Sequence, residues 1–393
     1  MAKKIDILEI ILKVTECCNI ACRYCYYFEG DNRDFADKPR VMNKKTVIQL
    51  ANYLKETVVA HQIETLRIDI HGGEPLMMGK KRLGELLLIL SDALKKICKL
   101  EFVLQCNGTL IDDDWINIFA KYQVAASVSV DGDAVTHNLN RIDRRGKGTY
   151  HRVMAGLSKL IAASKDNKVP YPGVLCVINP DKNGKVIFRH FVEQNKTPYI
   201  SFIEPDFTID EASKQRVDGI GNFLLDVYQE WEKNNSPKIN RHMSLRVFND
   251  LLSVLMVSGT EYENMKTINY VVITIRSDGY INPDDILRNT HPELFNESYH
   301  LASSTLEEFI TSEDIRELYR GIFTLPVQCQ ECGVRKLCRN GFCFGSLPHR
   351  YSKKNGMNNT NLFCKFYREI CIRLCNYAVN KGKTFAEIEK AVY

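Results

Sequence analysis

The stretch that decides the fold lies near the amino terminus, where residues 8–25 read LEIILKVTECCNIACRYC. Its first half is an apolar run, which predicts a buried β-strand over residues 8–14. Three thiols, Cys18, Cys22 and Cys25, follow directly after that strand. The spacing therefore predicts that these thiols converge in the loop at the carboxyl end of the first strand.

The strand of residues 8–14 opens a regular alternation of short β-branched runs and longer amphipathic stretches, which is typical of parallel βα units. The predicted strands cover residues 8–14, 66–71, 102–106, 124–130, 174–178 and 199–203. The predicted helices cover residues 44–60, 83–97, 112–122, 150–163, 185–194 and 211–234. Six consecutive units predict an α/β fold, a partial (β/α)6 barrel of the TIM type, with its site at the carboxyl ends of the strands.

The regular pattern ends near the sequence NNSP at residues 234–237, which is the strongest boundary signal in the chain. We therefore predict a core domain over residues 1–235. A bridging region over residues 236–290 follows, with an apolar helix at 245–257 and a hairpin at 271–281. Residues 291–393 are predicted to form a cysteine-rich extension, which ends in a helix over residues 362–379.

Composition narrows the class of protein. The chain has 393 residues, 53 basic against 48 acidic side chains, and a net charge of +5. This charge is too weak to predict a nucleic acid or an anionic membrane as a partner, because such partners require clustered basic patches. No apolar run approaches the roughly 18 residues of a membrane helix, and we expect no signal peptide. The sequence thus predicts a cytoplasmic protein.

Fourteen cysteines are difficult to explain as disulfides in a reducing compartment, so metal binding or catalysis is expected. They fall into two groups. Cys98, Cys106 and Cys176 lie between the groups and are expected to be structural. The first group is Cys17, Cys18, Cys22 and Cys25, and the second is Cys329, Cys332, Cys338, Cys343, Cys364, Cys371 and Cys375.

Three thiols can hold three irons of a cubane cluster and leave the fourth iron open to a ligand. The alternative is a structural zinc site, which normally closes with four protein ligands. Cys17 is adjacent to Cys18 and would reach the same metal only with difficulty. A zinc-stabilised binding protein without catalysis therefore remains the alternative from another class of function.

The spacing of Cys18, Cys22 and Cys25, with the aromatic Tyr24 before the last thiol, resembles the radical S-adenosylmethionine (SAM) enzymes. Further motifs follow at the predicted strand ends, in the order that this family has them. The resemblance implies that the cofactors are a [4Fe–4S] cluster on the three thiols and SAM on its open iron. It implies that SAM is bound by Tyr24, Gly72, Gly73, Glu74, Asn107, Ser129 and Arg141.

In this family, one electron cleaves SAM and releases a radical that abstracts hydrogen from the substrate. The cofactor carries the difficult chemistry, and the protein supplies orientation and excludes solvent. The resemblance also implies an electron donor such as flavodoxin or ferredoxin.

The carboxyl-terminal cysteines resemble the SPASM extension of peptide-modifying radical SAM enzymes, which ordinarily carries seven cysteines for two auxiliary clusters. Asp284 stands where one of these cysteines is expected, and no cysteine occurs between Cys176 and Cys329. We therefore predict that the first auxiliary cluster is absent. One auxiliary [4Fe–4S] cluster is predicted on Cys329, Cys332, Cys338 and Cys364. Cys343 is displaced by one residue, and it either substitutes in this set or stays free.

The motifs at residues 8–27, 71–76, 173–178 and 202–206 resemble a narrower group, the maturases that form three-residue cyclophanes in ribosomally made peptides. This resemblance implies a precursor peptide, with leader and core, as partner. It also implies a C–C crosslink between an aromatic ring carbon and a side-chain β-carbon.

Loss of the ring proton requires a base. The resemblance implies Asp285 as the candidate catalytic residue, because it follows the position where the family has a first-cluster cysteine. A solvated turn residue is the alternative role for Asp285. The alternative reaction is that of a sulfatase-type maturase, which forms formylglycine; such enzymes generally keep all seven cysteines.

Overall fold

The computed structural model of the protein describes residues 4–30, 32–194, 199–234, 244–256 and 269–392. The predicted boundary at residues 235 and 236 lies outside these ranges. The chain divides into two compact units. The first comprises Met1–Val130, His137–Pro172 and Ile268–Glu317, and the second comprises Asp131–Thr136, Gly173–Thr267 and Leu318–Tyr393.

The strands and helices alternate along the chain, so the predicted α/β class is confirmed. The strands are β1 Ile7–Lys13, β2 Ile20–Cys22, β3 Thr65–His71, β4 Lys99–Cys106, β5 Ala125–Ser129, β6 Arg141–Asp143, β7 Gly173–Val177, β8 Tyr199–Ile203, β9 Ser244–Leu245, β10 Tyr270–Ile275 and β11 Ile281–Asn282. The helices are α1 Lys44–Ala60, α2 Lys80–Leu94, α3 Asp113–Tyr122, α4 Ala134–Asn140, α5 Tyr150–Lys165, α6 Gly184–Arg189, α7 Lys214–Asn234, α8 Arg246–Met256, α9 Leu306–Thr311, α10 Glu313–Phe323, α11 Val327–Gln330, α12 Arg335–Cys338, α13 Cys364–Asn380 and α14 Phe385–Val392.

The sheet of the first unit is built around β1. This strand pairs in parallel with β3, β3 pairs with β4, and β4 pairs with β5. Leu8, Ile10 and Leu12 of β1 are fully buried, and each such side chain contributes roughly 1.5–3 kcal/mol through burial. Because parallel strands all end at the same edge of a sheet, the loops after β1, β3, β4 and β5 meet there.

The helices of the first unit begin at residues that the sequence makes suitable caps. The Asn43 side chain accepts a hydrogen bond from the Thr46 N–H at the start of α1. Asp112 does the same for the Trp115 N–H at the start of α3. Each cap satisfies a backbone donor that the helix leaves free, and typically contributes about 1 kcal/mol.

The hairpin predicted at residues 271–281 is present, since β10 pairs antiparallel with β11. The structure adds a pairing that the sequence did not predict. β10 also pairs in parallel with β1, from Ile7 opposite Tyr270 to Leu12 opposite Ile275. The apolar run of β10 is typical of a strand with neighbours on both sides. This pairing brings the residues after β11 to the edge where β1 ends.

In the second unit, β7 pairs in parallel with β8, and β8 pairs with β9. Helix α7 packs closely against the loop after β7, because a Cβ atom on Gly219 would lie 2.4 Å from the Pro180 carbonyl oxygen. The predicted helix over residues 362–379 is confirmed as α13. Among the described residues, no helix is long and apolar enough to cross a membrane.

Candidate active site

The three amino-terminal thiols lie on a loop that a small antiparallel ribbon holds in place. Strand β2 pairs with β6, so that Cys22 stands opposite Arg141. The Arg141 guanidinium lies 3.9 Å from the Cys22 Sγ and 5.4 Å from the centroid of the Tyr24 ring. The predicted site residues Cys22, Tyr24 and Arg141 are therefore neighbours, although Arg141 is 119 residues from Cys22.

The backbone after β3 approaches the thiol loop closely, and its glycines permit this. Gly72 has a φ of +146°, and a Cβ atom there would lie 2.4 Å from the Thr15 carbonyl oxygen. A Cβ atom on Gly73 would lie 2.4 Å from the Cys17 carbonyl oxygen. The Gly73 and Glu74 N–H groups donate to the carbonyl oxygens of Thr15 and Cys17. Any larger side chain at residues 72 or 73 would push the thiol loop away.

Glu74 joins two strand ends through its buried carboxylate. One oxygen accepts the Leu76 N–H at 3.2 Å, and the other accepts the Asn107 N–H at 2.7 Å. Burial raises the pKa of Glu74 to about 7, although these two hydrogen bonds work in the opposite direction. Glu74 therefore has a structural role here, and its predicted contact with SAM would use the remaining lone pairs of its oxygens.

The raised pKa of Glu74 predicts a pH dependence of stability. The folded protein holds this proton to a higher pH than the unfolded chain does, so the Glu74 contribution is greatest at low pH and is lost as the pH rises towards 7. The size of the effect is on the order of 3 kcal/mol. Thermal unfolding of the cofactor-free protein between pH 5 and pH 8 measures it. Glu74→Gln, which cannot titrate, should show a flatter profile; parallel profiles would contradict the prediction.

Two further predicted site residues follow β4 and β5. The Asn107 amide donates to the Asn19 Oδ1 at 2.8 Å and lies 3.9 Å from the Cys18 Sγ. Ser129 accepts a hydrogen bond of 2.8 Å from Gln105, and it stays a prediction as a SAM contact. Arg144, which follows strand β6, donates to the Cys18 carbonyl oxygen at 2.7 Å. It therefore supports the thiol loop.

The three thiols affect one another electrostatically. Burial, and to a smaller extent the charges of Glu74, Cys22 and Cys25, raise the pKa of Cys18 to about 12. Burial also raises the pKa of Cys25, while Arg141 and Lys13 oppose this shift. Thiols that lie close together favour a positively charged partner that displaces their protons. This donor set fits an iron–sulfur cluster bound by three thiolates.

Cys17 has a different environment, because the Arg40 Nε donates to its Sγ at 3.2 Å. Cys106 and Cys176 are buried, in keeping with the structural role expected of them. In the described part of the chain, no group of three or more His, Cys, Asp and Glu side chains could hold a single metal ion.

Asp285 lies in a buried polar group that reaches the same end of the sheet. Its Oδ2 accepts hydrogen bonds from the Lys13 Nζ and the Tyr26 hydroxyl, each at 2.5 Å. Lys13 is 1% exposed and Asp285 is 4% exposed. The Asp285 Oδ1 is buried and accepts no hydrogen bond from any residue that the structure describes. The carboxylate thus has one oxygen held by two donors and one oxygen left for another partner.

Asp284 is also held, because its side chain accepts the Ile286 N–H at 3.1 Å. Burial raises the pKa of Asp284 to about 6, and the neighbouring charge of Asp285 contributes to this shift. Asp284, which stands where the SPASM pattern has a cysteine, therefore caps the turn that follows it. Solvation of Asp285 in an open turn, the alternative role considered above, is wrong because the side chain is buried.

Lys13 and Tyr26 are the residues of this group that sequence analysis missed, and Lys13 is the more informative case. The available signal was a lysine at the end of an apolar strand, one position from the buried Val14. A buried lysine needs a carboxylate partner, but the partner lies 272 residues away in the sequence. Local pattern therefore could not name Asp285 as that partner.

The carboxyl-terminal thiols lie together in the second unit. The thiolates of Cys332, Cys338 and Cys364 affect Cys329, and burial is the main reason that the pKa of Cys329 rises to about 11. Cys338 also contacts the thiol of Cys371. Asn340 fixes the loop by donating to the Asn359 carbonyl oxygen and accepting the Asn361 N–H, both at 2.8 Å.

Comparison with known proteins bears first on the amino-terminal part of the chain. Residues 12–176 match the family model of the Radical SAM superfamily. This part of the chain is a radical SAM domain. The match spans the thiol loop, the Gly72–Glu74 turn, Asn107, Ser129 and Arg141. The predicted cofactor class, a [4Fe–4S] cluster with SAM, is thereby confirmed at the level of the family.

The radical SAM domain and the extension together resemble anaerobic sulfatase-maturating enzymes. The cysteine-type enzyme of Clostridium perfringens is 25% identical over 374 residues, which cover 92% of this chain and 95% of that protein. The serine-type enzyme of Bacteroides thetaiotaomicron is 25% identical over 390 residues, 89% of this chain and 85% of that protein. These relatives are not cyclophane-forming enzymes, which the sequence motifs resemble more narrowly.

A solved structure described as native anSMEcpe with bound AdoMet has the same fold. It covers 95% of this chain and 100% of its own length, with 22% sequence identity and a TM-score of 0.78. Another structure of that protein, with a TM-score of 0.77, holds AdoMet and a Cp18Cys peptide.

Proposed function

We propose that this protein is a radical SAM maturase that oxidises a side chain of a peptide substrate. The observation that carries the proposal is the meeting, within one unit, of three thiols, the Gly72–Glu74 turn and Arg141. Cys18, Cys22 and Cys25 hold a [4Fe–4S] cluster. Tyr24, Gly72, Gly73, Glu74, Asn107, Ser129 and Arg141 bind SAM. When bound, the cluster and SAM supply one-electron reduction and a radical that abstracts hydrogen.

Asp285 is the base of the reaction. Oxidation of a side chain beyond hydrogen abstraction releases one proton and one electron, and the proton needs an acceptor within hydrogen-bond reach. The free Oδ1 of Asp285 is this acceptor. Lys13 and Tyr26 hold the Oδ2 and fix the direction in which the Oδ1 points. They are positioning residues.

The sulfatase-maturase type of reaction is the leading candidate, because the relatives of this type resemble the chain over about nine-tenths of its length. In that reaction a Cys or Ser side chain of a peptide becomes an aldehyde. The auxiliary cluster on Cys329, Cys332, Cys338 and Cys364 belongs to the same proposal, with Cys343 beside it.

A second candidate is the cyclophane crosslink, and one observation favours it. Asp284 occupies the position of a first-cluster cysteine, and its carboxylate caps the turn that carries Asp285. The Asp285 side chain is thus positioned by protein contacts alone. An aromatic ring that has formed a new C–C bond must lose a proton, and Asp285 can accept it. The precursor peptide would then supply both joined residues.

One experiment separates the two reactions. The reconstituted enzyme is incubated with SAM, reductant and either a Cys- or Ser-containing peptide or a candidate precursor peptide encoded beside the gene. An aldehyde product reacts with an aminooxy probe. A crosslinked product loses two hydrogens, does not react with the probe, and resists fragmentation between the joined residues. Cys22→Ala enzyme is the control for background oxidation. A product of neither kind with every peptide would contradict the proposal.

A further inference from the structure

A hydrogen bond joins the end of strand β8 to the helix that carries Cys364. Glu204 follows β8 directly, and its Oε1 accepts a hydrogen bond of 2.5 Å from the Tyr367 hydroxyl of α13. Tyr367 is fully buried, whereas Glu204 is half-buried. Both residues belong to the second unit, as do the carboxyl-terminal thiols.

Tyr367 lies against the loop of the carboxyl-terminal thiols. It comes three residues after Cys364 on α13, so the two side chains lie on the same face of the helix. Its ring stacks on that of Phe344, with 3.8 Å between the centroids. A Cβ atom on Gly341 would lie 3.3 Å from the Tyr367 ring. Burial raises the pKa of Tyr367 well above its ordinary value, and the charge of Cys338 contributes to this shift. Tyr367 thus links Glu204 to the thiol set.

The protonation of Glu204 is sensitive to its surroundings. Burial raises the pKa of Glu204 to about 7, against the hydrogen bond from Tyr367 and the charge of Arg246 on α8. His349 contacts the carbonyl oxygen of the next residue, Pro205, at 3.0 Å. Burial lowers the pKa of His349 to about 4, so this neighbour is neutral. With a pKa near neutrality, a change in the nearby charge is enough to add or remove the Glu204 proton.

Water has room beside the Glu204 carboxylate. A cavity of about 20 Å³ is lined by Glu204 and Arg246 together with the rings of Phe248 and Phe344. This volume is enough for about one water molecule, which requires polar partners such as the carboxylate and the guanidinium. Because Glu204 is also half-buried rather than sealed, a proton can pass between solvent and its carboxylate.

An electron added to the thiol set would place a further negative charge beside Tyr367 and Glu204. In a poorly solvated interior, such a charge interacts strongly with its neighbours. A negative charge disfavours the ionised form of a nearby carboxyl group. A proton on Glu204 would therefore offset the charge of the added electron.

We propose that Glu204 is the proton partner of the carboxyl-terminal redox group. Its carboxylate takes up one proton from water when that group gains one electron from the oxidised peptide, and releases the proton when the electron leaves. Tyr367 is a positioning residue, because its hydroxyl donates to the carboxylate and its oxygen can accept a hydrogen bond from the protonated acid. The inference rests on the proposed function, which assigns a redox group to Cys329, Cys332, Cys338 and Cys364.

The test is the pH dependence of the midpoint potential of this redox group. The reconstituted Cys22→Ala enzyme, here called the parent, should hold only the carboxyl-terminal cluster, so electron paramagnetic resonance follows its reduction alone. Below a pH of about 7, Glu204 holds its proton in both redox states and the potential should be constant. Above this pH, reduction takes up a proton, and the potential should fall by up to about 59 mV for each tenfold decrease in proton concentration.

Three variants of the parent identify the group that takes the proton. Glu204→Gln keeps the shape and an acceptor for Tyr367 but cannot titrate, so its potential should not change with pH in this range. Tyr367→Phe removes a hydrogen bond that favours the charged carboxylate, so the pH-dependent range should move to higher pH. Glu331→Gln changes an exposed carboxylate between two of the thiols, and this matched control should keep the slope of the parent.

The same slope in Glu204→Gln as in the parent would overturn the inference. If Glu204→Gln does not fold, the infrared difference between the reduced and oxidised parent should contain a protonated-carboxyl band that Tyr367→Phe shifts, and absence of this band would overturn the inference equally. Iron content tests the proposed function separately. A parent without about four irons and a cluster signal contradicts the redox group itself and the inference with it, whereas a four-iron parent with a constant potential contradicts the inference alone.

Discussion

Replacing Cys22 with alanine should abolish SAM cleavage. The neighbouring Cys17 thiol is a poor substitute, because it accepts a hydrogen bond from Arg40 and is adjacent in sequence to Cys18. Without the Cys22 thiolate, the two remaining thiols would not hold the cluster on which SAM cleavage depends. Production of 5′-deoxyadenosine by the reconstituted variant, measured against the unchanged enzyme, checks this expectation.

Cys332→Ala is the matched control, because it removes one thiol from the other set. The unchanged enzyme should hold about eight irons, counted as two four-iron clusters, and each variant about four. Only Cys22→Ala should lose SAM cleavage. Undiminished 5′-deoxyadenosine formation by Cys22→Ala would refute the assignment of this thiol. About twelve irons in the unchanged enzyme would mean that a third cluster forms, and Asp284 would then be the first ligand to examine.

Asp285→Asn should separate hydrogen abstraction from product formation. The amide keeps the shape and an acceptor oxygen for Tyr26, but it cannot take a proton. SAM cleavage and hydrogen transfer should continue, whereas the amount of oxidised or crosslinked peptide in a single turnover should fall about 10²–10⁴-fold. Mass spectrometry of the peptide and measurement of 5′-deoxyadenosine in the same reaction give both quantities. A normal product rate would show that another group accepts the proton.

The Asp285→Asn variant also leaves the Lys13 charge buried without its carboxylate, which typically costs about 3–5 kcal/mol. The double variant Lys13→Gln, Asp285→Asn removes both charges and should recover most of the lost stability. It should remain as deficient in product formation as the single variant. Recovery of product by the double variant would mean that the defect of the single variant was structural.

Much of the fold could be predicted because its signals are local. Helix α1 over Lys44–Ala60 and strand β8 over Tyr199–Ile203 have the bounds that the sequence predicts. Helix α2 begins three residues before its prediction, at Lys80. The prediction missed the first turn of α2 because that turn is charged and lacks the apolar period on which the prediction depended. The apolar period of the buried face predicts where an amphipathic helix lies. Its first and last residues depend in addition on caps and packing.

The pairing of β10 with β1 could not be predicted from the sequence. The hairpin predicted at residues 271–281 turns at Asp278 and Gly279, and Gly279 has a φ of +96°. In a hairpin each strand pairs along only one edge. The local sequence does not indicate which strand pairs with the other edge of β10. That choice depends on which strands of the assembled sheet still have a free edge.

The sequence by itself determined the α/β class, the three-thiol loop after the first strand and the family of the domain, because spacing and periodicity are properties of adjacent residues. Only the tertiary structure decided that Asp285 is buried between Lys13 and Tyr26. The physical reason is the parallel pairing of β10 with β1, which brings a residue 272 positions away to the end of the first strand. There, a lysine and a carboxylate that could not be buried singly are buried as a pair.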